Sequence, residues 1–141
     1  MAGIGISRTY SYKVKGTGTG SATGVVKDKF VQPISYDGKV AGVQFPSAAN
    51  VYCLGPSAYD TAPTKDATIQ DNPGDVVWVV GDGNVVPGDK VTNDSQGRAT
   101  AILAGGTTTW YYQHGVCLEQ NTDSNGAQII KMKNEKAYIQ G

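Results

Sequence analysis

The sequence is poor in the residues that build helices and do chemistry. Leucine occurs three times and glutamate twice in 141 residues, against 15 valines, eight isoleucines and 10 aspartates. Helices favour Leu and Glu, strands favour Val, Ile, Tyr and Thr, and turns favour Asp and Gly. The shortage therefore excludes a helical bundle, a coiled coil or a helix-rich α/β enzyme. Long apolar runs are also missing. The longest, Val76-Val77-Trp78-Val79-Val80, falls far short of the roughly 20 residues that a spanning helix needs. Charge is scarce and balanced: 17% of residues are charged, with 12 basic and 12 acidic side chains. A basic stripe for nucleic acid has no material here. A sparsely charged surface suits contact with other protein, since interface centres are depleted in charge.

Histidine occurs once and cysteine twice. No basic segment followed by an apolar one opens the chain, so synthesis in a cytoplasm, without secretion or a membrane stage, is expected. Cys53 and Cys117 are then expected as free thiols. The sequon-like Asn93-Asp94-Ser95 reads as a turn before Gly97.

What the chain does have is glycine, 19 residues of it, with six prolines. These punctuate short apolar runs. The opening run alternates: Ile4, Ile6, Tyr10, Tyr12 and Val14 are apolar, and only Arg8 interrupts the even positions. A period of two demands an extended strand with one buried face. This strand is expected as an N-terminal arm, residues 1–15, able to pair with a neighbouring subunit. A Gly/Thr-rich loop, 16–24, joins it to a β domain, 25–141. Further strands are expected at 25–31, 39–45, 50–54, 76–80, 89–92, 98–103, 110–120 and 128–133. Turn signals such as Asp37-Gly38, Pro87-Gly88, Gly105-Gly106 and Asn125-Gly126 lie between them. The stretch 55–71 reads as irregular, with room for one helical turn. Apolar on both faces, 76–80 reads as a central, doubly covered strand. The charged 131–136 reads as solvated, with Tyr138 and Ile139 anchoring the tail. The fold class is all-β: a small sandwich or barrel.

No constellation for catalysis comes together. Within a strand His114 and Cys117 point to opposite faces, and nothing in the sequence places Cys53 beside His114. One His and two distant Cys do not make a tetrahedral zinc set. Most aspartates adjoin Gly, Asn or Pro, as turn residues do. The run Asn121-Thr122-Asp123-Ser124-Asn125-Gly126 resembles the first half of a calcium loop, but Met132 stands where the bidentate Glu is required. A hairpin tip explains the same residues. No metal, cofactor or catalytic residue is assigned. The remaining lead is aromatic. Trp110, Tyr111 and Tyr112 place amphipathic rings on both faces of one strand, suited to an interface or to sugar stacking.

The run Gly83-Asn84-Val85-Val86-Pro87-Gly88-Asp89-Lys90-Val91-Thr92-Asn93-Asp94-Ser95-Gln96-Gly97-Arg98 resembles a pattern in tailed-bacteriophage capsid decoration, or cement, proteins. There a Gly-Asp, apolar, Thr, turn, Gly-Arg sequence precedes a short strand. Gly115-Val116-Cys117-Leu118-Glu119 and Gly126-Ala127-Gln128-Ile129-Ile130-Lys131 are similar to the strand and hairpin that follow it. The resemblance spans residues 75–133. It implies a compact β domain, usually a homotrimer, seated on the outer capsid surface of the virion. Terminal segments would touch the major capsid protein, stabilising the shell without catalysis. The residues expected to make capsid or subunit contacts are Ile4, Ile6, Arg8, Tyr10 and Tyr12, with Trp110, Tyr111 and Tyr112. Another virion role, in a tail or head fibre, is the nearest alternative. A carbohydrate-binding sandwich using Trp110, Tyr111 and Tyr112, and a hydrolase with an Asp pair, come from other classes.

Overall fold

The computed structural model describes residues 9–15, 24–36, 39–103 and 109–141. These form ten strands: β1 Thr9–Lys13, β2 Phe30–Tyr36, β3 Lys39–Gln44, β4 Gly55–Pro56, β5 Asp66–Gln70, β6 Val76–Val80, β7 Lys90–Asn93, β8 Ala99–Ala101, β9 Trp110–Thr122 and β10 Gln128–Gln140. No helix occurs among the described residues, as the shortage of Leu and Glu requires. The fold is all-β and packs as a small barrel-like unit against an open sheet.

The open sheet has five strands in the order β6-β10-β9-β7-β8. Two smaller sheets, β3-β2-β4 and β1-β5, are linked by single bridges, Ser57 to Ile69 and Val14 to Val43. The backbone bond from Lys15 N–H to the Val43 carbonyl, 2.8 Å, reinforces the second link. The strands thus run round an almost closed ring, β1-β5-β4-β2-β3. Val14, Val25, Val31, Val43, Leu54, Ala67 and Ile69 form one buried cluster, with Tyr12 packed against it. A second cluster joins the ring to the open sheet: Phe30, Cys53, Val77, Val79, Val85, Val91, Ala99, Cys117, Ile130 and Met132. Neighbours in sequence serve different clusters, Phe30 beside Val31 and Cys53 beside Leu54. An extended chain sends successive side chains to opposite faces, so these residues form a layer with core on both sides.

The strand expected at 76–80 is present, but it is an edge strand. Its burial alternates, with Val77 and Val79 inside while Val76 and Trp78 face outward. The Lys131 side chain lies over Trp78, its Nζ 5.2 Å from the ring centroid, and also bonds Glu119 at 3.2 Å. A long basic side chain, rather than a second layer of protein, covers the outer tryptophan. The stretch 55–71 holds two strands, β4 and β5, in place of the expected irregular connection. Residues 50–54 form no ladder; their backbone bonds go elsewhere, such as Val51 N–H to the Asn93 side chain and Leu54 N–H to the Val31 carbonyl. The charged 131–136, expected to be solvated, lies within β10, with Lys133, Glu135 and Lys136 exposed and Met132 and Asn134 buried.

The expected tips are borne out where described. Asn125-Gly126 turns β9 into β10, with Gly126 at φ 83°, a left-handed conformation that glycine adopts without a steric penalty. One Asp123 carboxylate oxygen accepts from both Asn125 N–H and Ala127 N–H, at 2.8 and 2.9 Å. The residues that resembled a calcium loop therefore build a hairpin. Between β7 and β8, Asp94 accepts from the N–H groups of Gln96 and Arg98 and pairs with the Arg98 guanidinium at 2.7 Å. The Asp-to-Gly-Arg pattern is thus a self-bonded turn. Asp37-Gly38, Gly105-Gly106 and most of the 16–24 loop lie outside the described residues.

Candidate interaction surface

The long β9–β10 hairpin positions the site. Its ladder slips twice, between Lys131 and Met132 and between Asn134 and Ala137. The first slip leaves Leu118 as an extra residue on β9. The second leaves an extra residue on β10, at 135–136. Such bulges re-aim side chains locally. Here they break the expected alternation of β9, and Gln113, His114 and Gly115 are buried in succession. His114 and Cys117, expected on opposite faces, are both buried on the core side.

Beyond the second bulge the pairs are Tyr112 with Tyr138, Tyr111 with Ile139, and Trp110 with Gln140. Trp110, Tyr112 and Tyr138 share one face, with Tyr111 and Ile139 on the other. The Trp110 and Tyr138 rings stack at 5.2 Å and 23°. Tyr138 and Tyr112 lie 4.7 Å apart, and Tyr52 meets Tyr112 edge-on at 6.1 Å. These rings remain open to solvent: Trp110 is 48% exposed, Tyr138 56% and Tyr52 45%. Exposed aromatics gathered in one place on a soluble surface mark a binding surface more often than chance exposure does.

Asn50 and Lys136 hold this end of the hairpin to the rest of the fold. The Asn50 side chain donates to the Trp110 carbonyl and accepts from Tyr112 N–H, both at 2.8 Å. Its amide takes the place of a neighbouring strand at the β9 edge. Asn50 itself has φ 54°, a left-handed conformation that asparagine tolerates better than most residues. Lys136, in the second bulge, sends its ammonium inward, donating to the carbonyls of Cys53 (2.7 Å) and Leu54. The residue is exposed along its length, yet burial of its amine pulls the pKa down to about 8, opposed by Cys53 and Asp71. Its Nζ also lies 5.5 Å from the Tyr52 ring centroid. Tyr52, Tyr112, Gln113, Lys136, Ala137 and Tyr138 line a cleft of about 210 Å³.

The groups weighed for catalysis have structural work. His114 packs on Phe30, with ring centroids 4.7 Å apart, and its Nε2 lies 3.1 Å from Asn93 Oδ1. The Asn93 amide nitrogen donates to two carbonyls, so its oxygen faces the ring. Burial, with the Lys136 charge, lowers the His114 pKa to about 3. Cys53 is a buried free thiol pushed up to about 12 by burial. Cys117 is likewise free and buried, its pKa raised by burial. An imidazole that titrates near 3 is a weak base, and a protonated thiol is a poor nucleophile at neutral pH. Among the described residues no three His, Cys, Asp or Glu side chains gather as a metal site.

Of the residues proposed from sequence, the structure brings Trp110 and Tyr112 together and turns Tyr111 away. Tyr12 packs on the barrel cluster. Tyr10 is placed by its backbone, opposite Ile69, and its side chain lies outside the described residues, as do Ile4, Ile6 and Arg8 entirely. Sequence reasoning missed Tyr52, Lys136 and the part played by Tyr138. For Tyr138 a signal existed: counting back from the Asn125-Gly126 tip without a slip pairs Tyr112 with Tyr138, because the two bulges sit on opposite strands and cancel.

No protein-family model matches the chain, and no curated protein matches it. Among solved structures, the fold is similar to the N base of head fiber gp8.5 in bacteriophage phi29. The TM-score is 0.61 at 12% sequence identity, covering 95% of this chain and 98% of that one. At this identity the likeness is one of fold, and it runs from end to end.

Proposed function

We propose that this chain is a structural virion protein of a bacteriophage that seats on the outer surface of the head. It acts there as a base or cement module and performs no catalysis. The observation that carries the reading is the end-to-end fold likeness to the base of a phage head fiber. The cement-like pattern of turns and strands over residues 75–133 supports it independently. The scarcity of charge fits protein partners, with the major capsid protein foremost, and the expected assembly is a homotrimer. The mechanism is linkage: a module that binds only the assembled shell stabilises that shell by mass action.

β1 refines where contact is sought. Its strand pairs with β5 along Thr9–Lys13, and Val14 is 1% exposed. Those residues belong to the folded body, so of the proposed contacts Ile4, Ile6, Arg8, Tyr10, Tyr12, Trp110, Tyr111 and Tyr112, a truncation can test Ile4, Ile6 and Arg8 without removing β1. The test is co-expression with the major capsid protein from the same genome, followed by sedimentation of assembled shells. The intact chain should pellet with shells, a chain lacking residues 1–8 should not, and light scattering should give three times 14.8 kDa. Saturating protein left in the supernatant would overturn the reading.

A further inference from the structure

The cleft beside the exposed rings has a chemistry of its own, independent of any seat on a capsid. Its walls are aromatic faces and edges from Tyr52, Tyr112 and Tyr138, continued outward by the Trp110 ring stacked on Tyr138. Its polar groups are few and fixed. Gln113 is 5% exposed and donates its Nε2 to the Glu135 carbonyl at 2.9 Å, which leaves Oε1 as an acceptor. The Lys136 ammonium has three hydrogens, and two are committed to the Cys53 and Leu54 carbonyls, so one donor remains. Tyrosine hydroxyls add groups that both donate and accept. Apolar walls with a few oriented polar groups are what a small-ligand site requires.

Size and charge narrow the ligand. About 210 Å³ equals the share of roughly seven liquid waters at ~30 Å³ each. That leaves room for one six-membered ring against the walls, with the open mouth free for a longer ligand to extend outward. Among the described residues the one cation in the lining is Lys136, neutralised in part by two carbonyls and by attraction to Asp71, and no described arginine lines the cleft. An anion would therefore find little. A pyranose offers an apolar C–H face for the rings, through dispersion, and hydroxyls around its edge for Gln113, Lys136 and the tyrosines. The backbone that carries Trp110 and Tyr112 is fixed by Asn50, and the rings pack on one another through Tyr138 and Tyr52. Little side-chain entropy is then lost on binding. We propose that this cleft binds a neutral sugar ring, an exposed residue of a glycan, with Tyr138, Tyr112 and Tyr52 as the stacking surface and Gln113 and Lys136 as the hydroxyl-reading groups.

The protein has two tryptophans, and Trp78 lies on the outer face of β6. Trp78→Phe leaves Trp110 as the sole reporter. The full chain is first screened on an array of defined oligosaccharides, and the strongest hit is then titrated into the Trp78→Phe protein. A saturable change in Trp110 emission is expected. Tyr138→Ala and Tyr52→Ala should each weaken it by about tenfold or more, the scale of losing one packed aromatic anchor. Their urea midpoints establish that both variants are folded. Tyr112→Phe, which keeps the ring, should weaken binding less than either. Absence of saturable binding by any array oligosaccharide would overturn the proposal, as would binding unchanged in both alanine variants. Shielding of Trp110 from acrylamide before sugar is added would also overturn it, because the rings would then be buried between copies of the chain.

Discussion

Asn93 is expected to be one of the costliest single side chains to remove, although it is neither apolar nor catalytic. It is fully buried at the end of β7. Its oxygen accepts from Val51 N–H at 3.0 Å and faces His114 Nε2 at 3.1 Å; its nitrogen donates to the Ala48 and Asp94 carbonyls at 2.8 and 3.1 Å. Asn93→Ala strands two buried polar groups, the Val51 N–H and the His114 ring nitrogen that faces it, and each costs about 1–3 kcal/mol when left unmade. The two together come to about 4 kcal/mol, a large part of the ~5–15 kcal/mol that keeps a domain folded. With a urea slope of about 2 kcal/mol per molar, the midpoint should fall by roughly 2 M at unchanged slope. A fall of less than ~0.3 M, which is under ~1 kcal/mol at that slope, would refute the account of the network. A pH series tests the same site from the other partner. His114 titrates near 3 in the folded protein against 6.5 ordinarily. As pH drops below 6.5 the unfolded chain takes a proton that the folded chain refuses. This contribution is complete above pH 6.5 and is lost towards pH 3, at up to about 1.4 kcal/mol per pH unit. The half-buried carboxyls of Asp28 and Asp71, raised by desolvation, act in the opposite sense but are common to both proteins compared. His114→Gln can still donate to Asn93 and cannot take the proton, so its stability should be flatter in acid. Identical acid slopes would show that His114 is not buried neutral.

Two further outcomes follow from local geometry. Gly126→Ala should cost about 1 kcal/mol, because φ 83° penalises a side chain while a Cβ there would touch nothing. Asp123→Ala should cost about 1–2 kcal/mol by freeing two turn amides, and millimolar calcium should leave the thermal midpoint in place; a calcium-dependent rise would contradict the hairpin reading. The Lys136 amine titrates near 8 when folded, against 10.5, so between those values the unfolded chain holds the extra proton and stability should climb as pH rises. Between pH 7.5 and 10 the urea midpoint of the native protein should gain relative to that of Lys136→Met, the raised thiols of Cys53 and Cys117 acting in the opposite sense in both, and an unchanged difference between the two proteins would refute burial of the amine.

Composition and period carried most of the fold, and the departures have physical causes. β5 was invisible because Asp66-Ala67-Thr68-Ile69-Gln70 offers only Ala67 and Ile69 to the core. Two small contacts suffice inside a narrow barrel but make a weak pattern. The stretch 50–54 is extended without being a strand, since the Asn93 side chain at the end of β7 meets the Val51 amide. Sequence periodicity reports which residues face inward, not what bonds the backbone between them. The layer assigned to 76–80 failed for a different reason. Five apolar residues in a row look the same whether the outer face meets protein or the stem and ammonium of a lysine directly opposite on the neighbouring strand, as Lys131 stands to Trp78.

The aromatic surface shows how little of a site lies in its most conspicuous residues. Trp110-Tyr111-Tyr112 draws attention as a triplet, yet strand geometry divides it at once. What assembles the rings is the pair of compensating bulges, which no propensity marks. The extra residue on β9 is Leu118, left pointing outward at 48% exposure. The extra residue on β10 gives Lys136 the reach to turn into the carbonyls of Cys53 and Leu54. That turn ties the hairpin to the layer from which Tyr52 projects. Without the β10 bulge, Lys136 would stand in register as an ordinary solvated lysine, and Tyr52 would have no fixed relation to Tyr112. The irregularity in the ladder therefore carries more of the candidate site than the regular strands do. It also explains why a slip-free count from the hairpin tip recovers the Tyr112–Tyr138 pair but not the cleft: the cancelling slips preserve the distant register and create the local geometry between them.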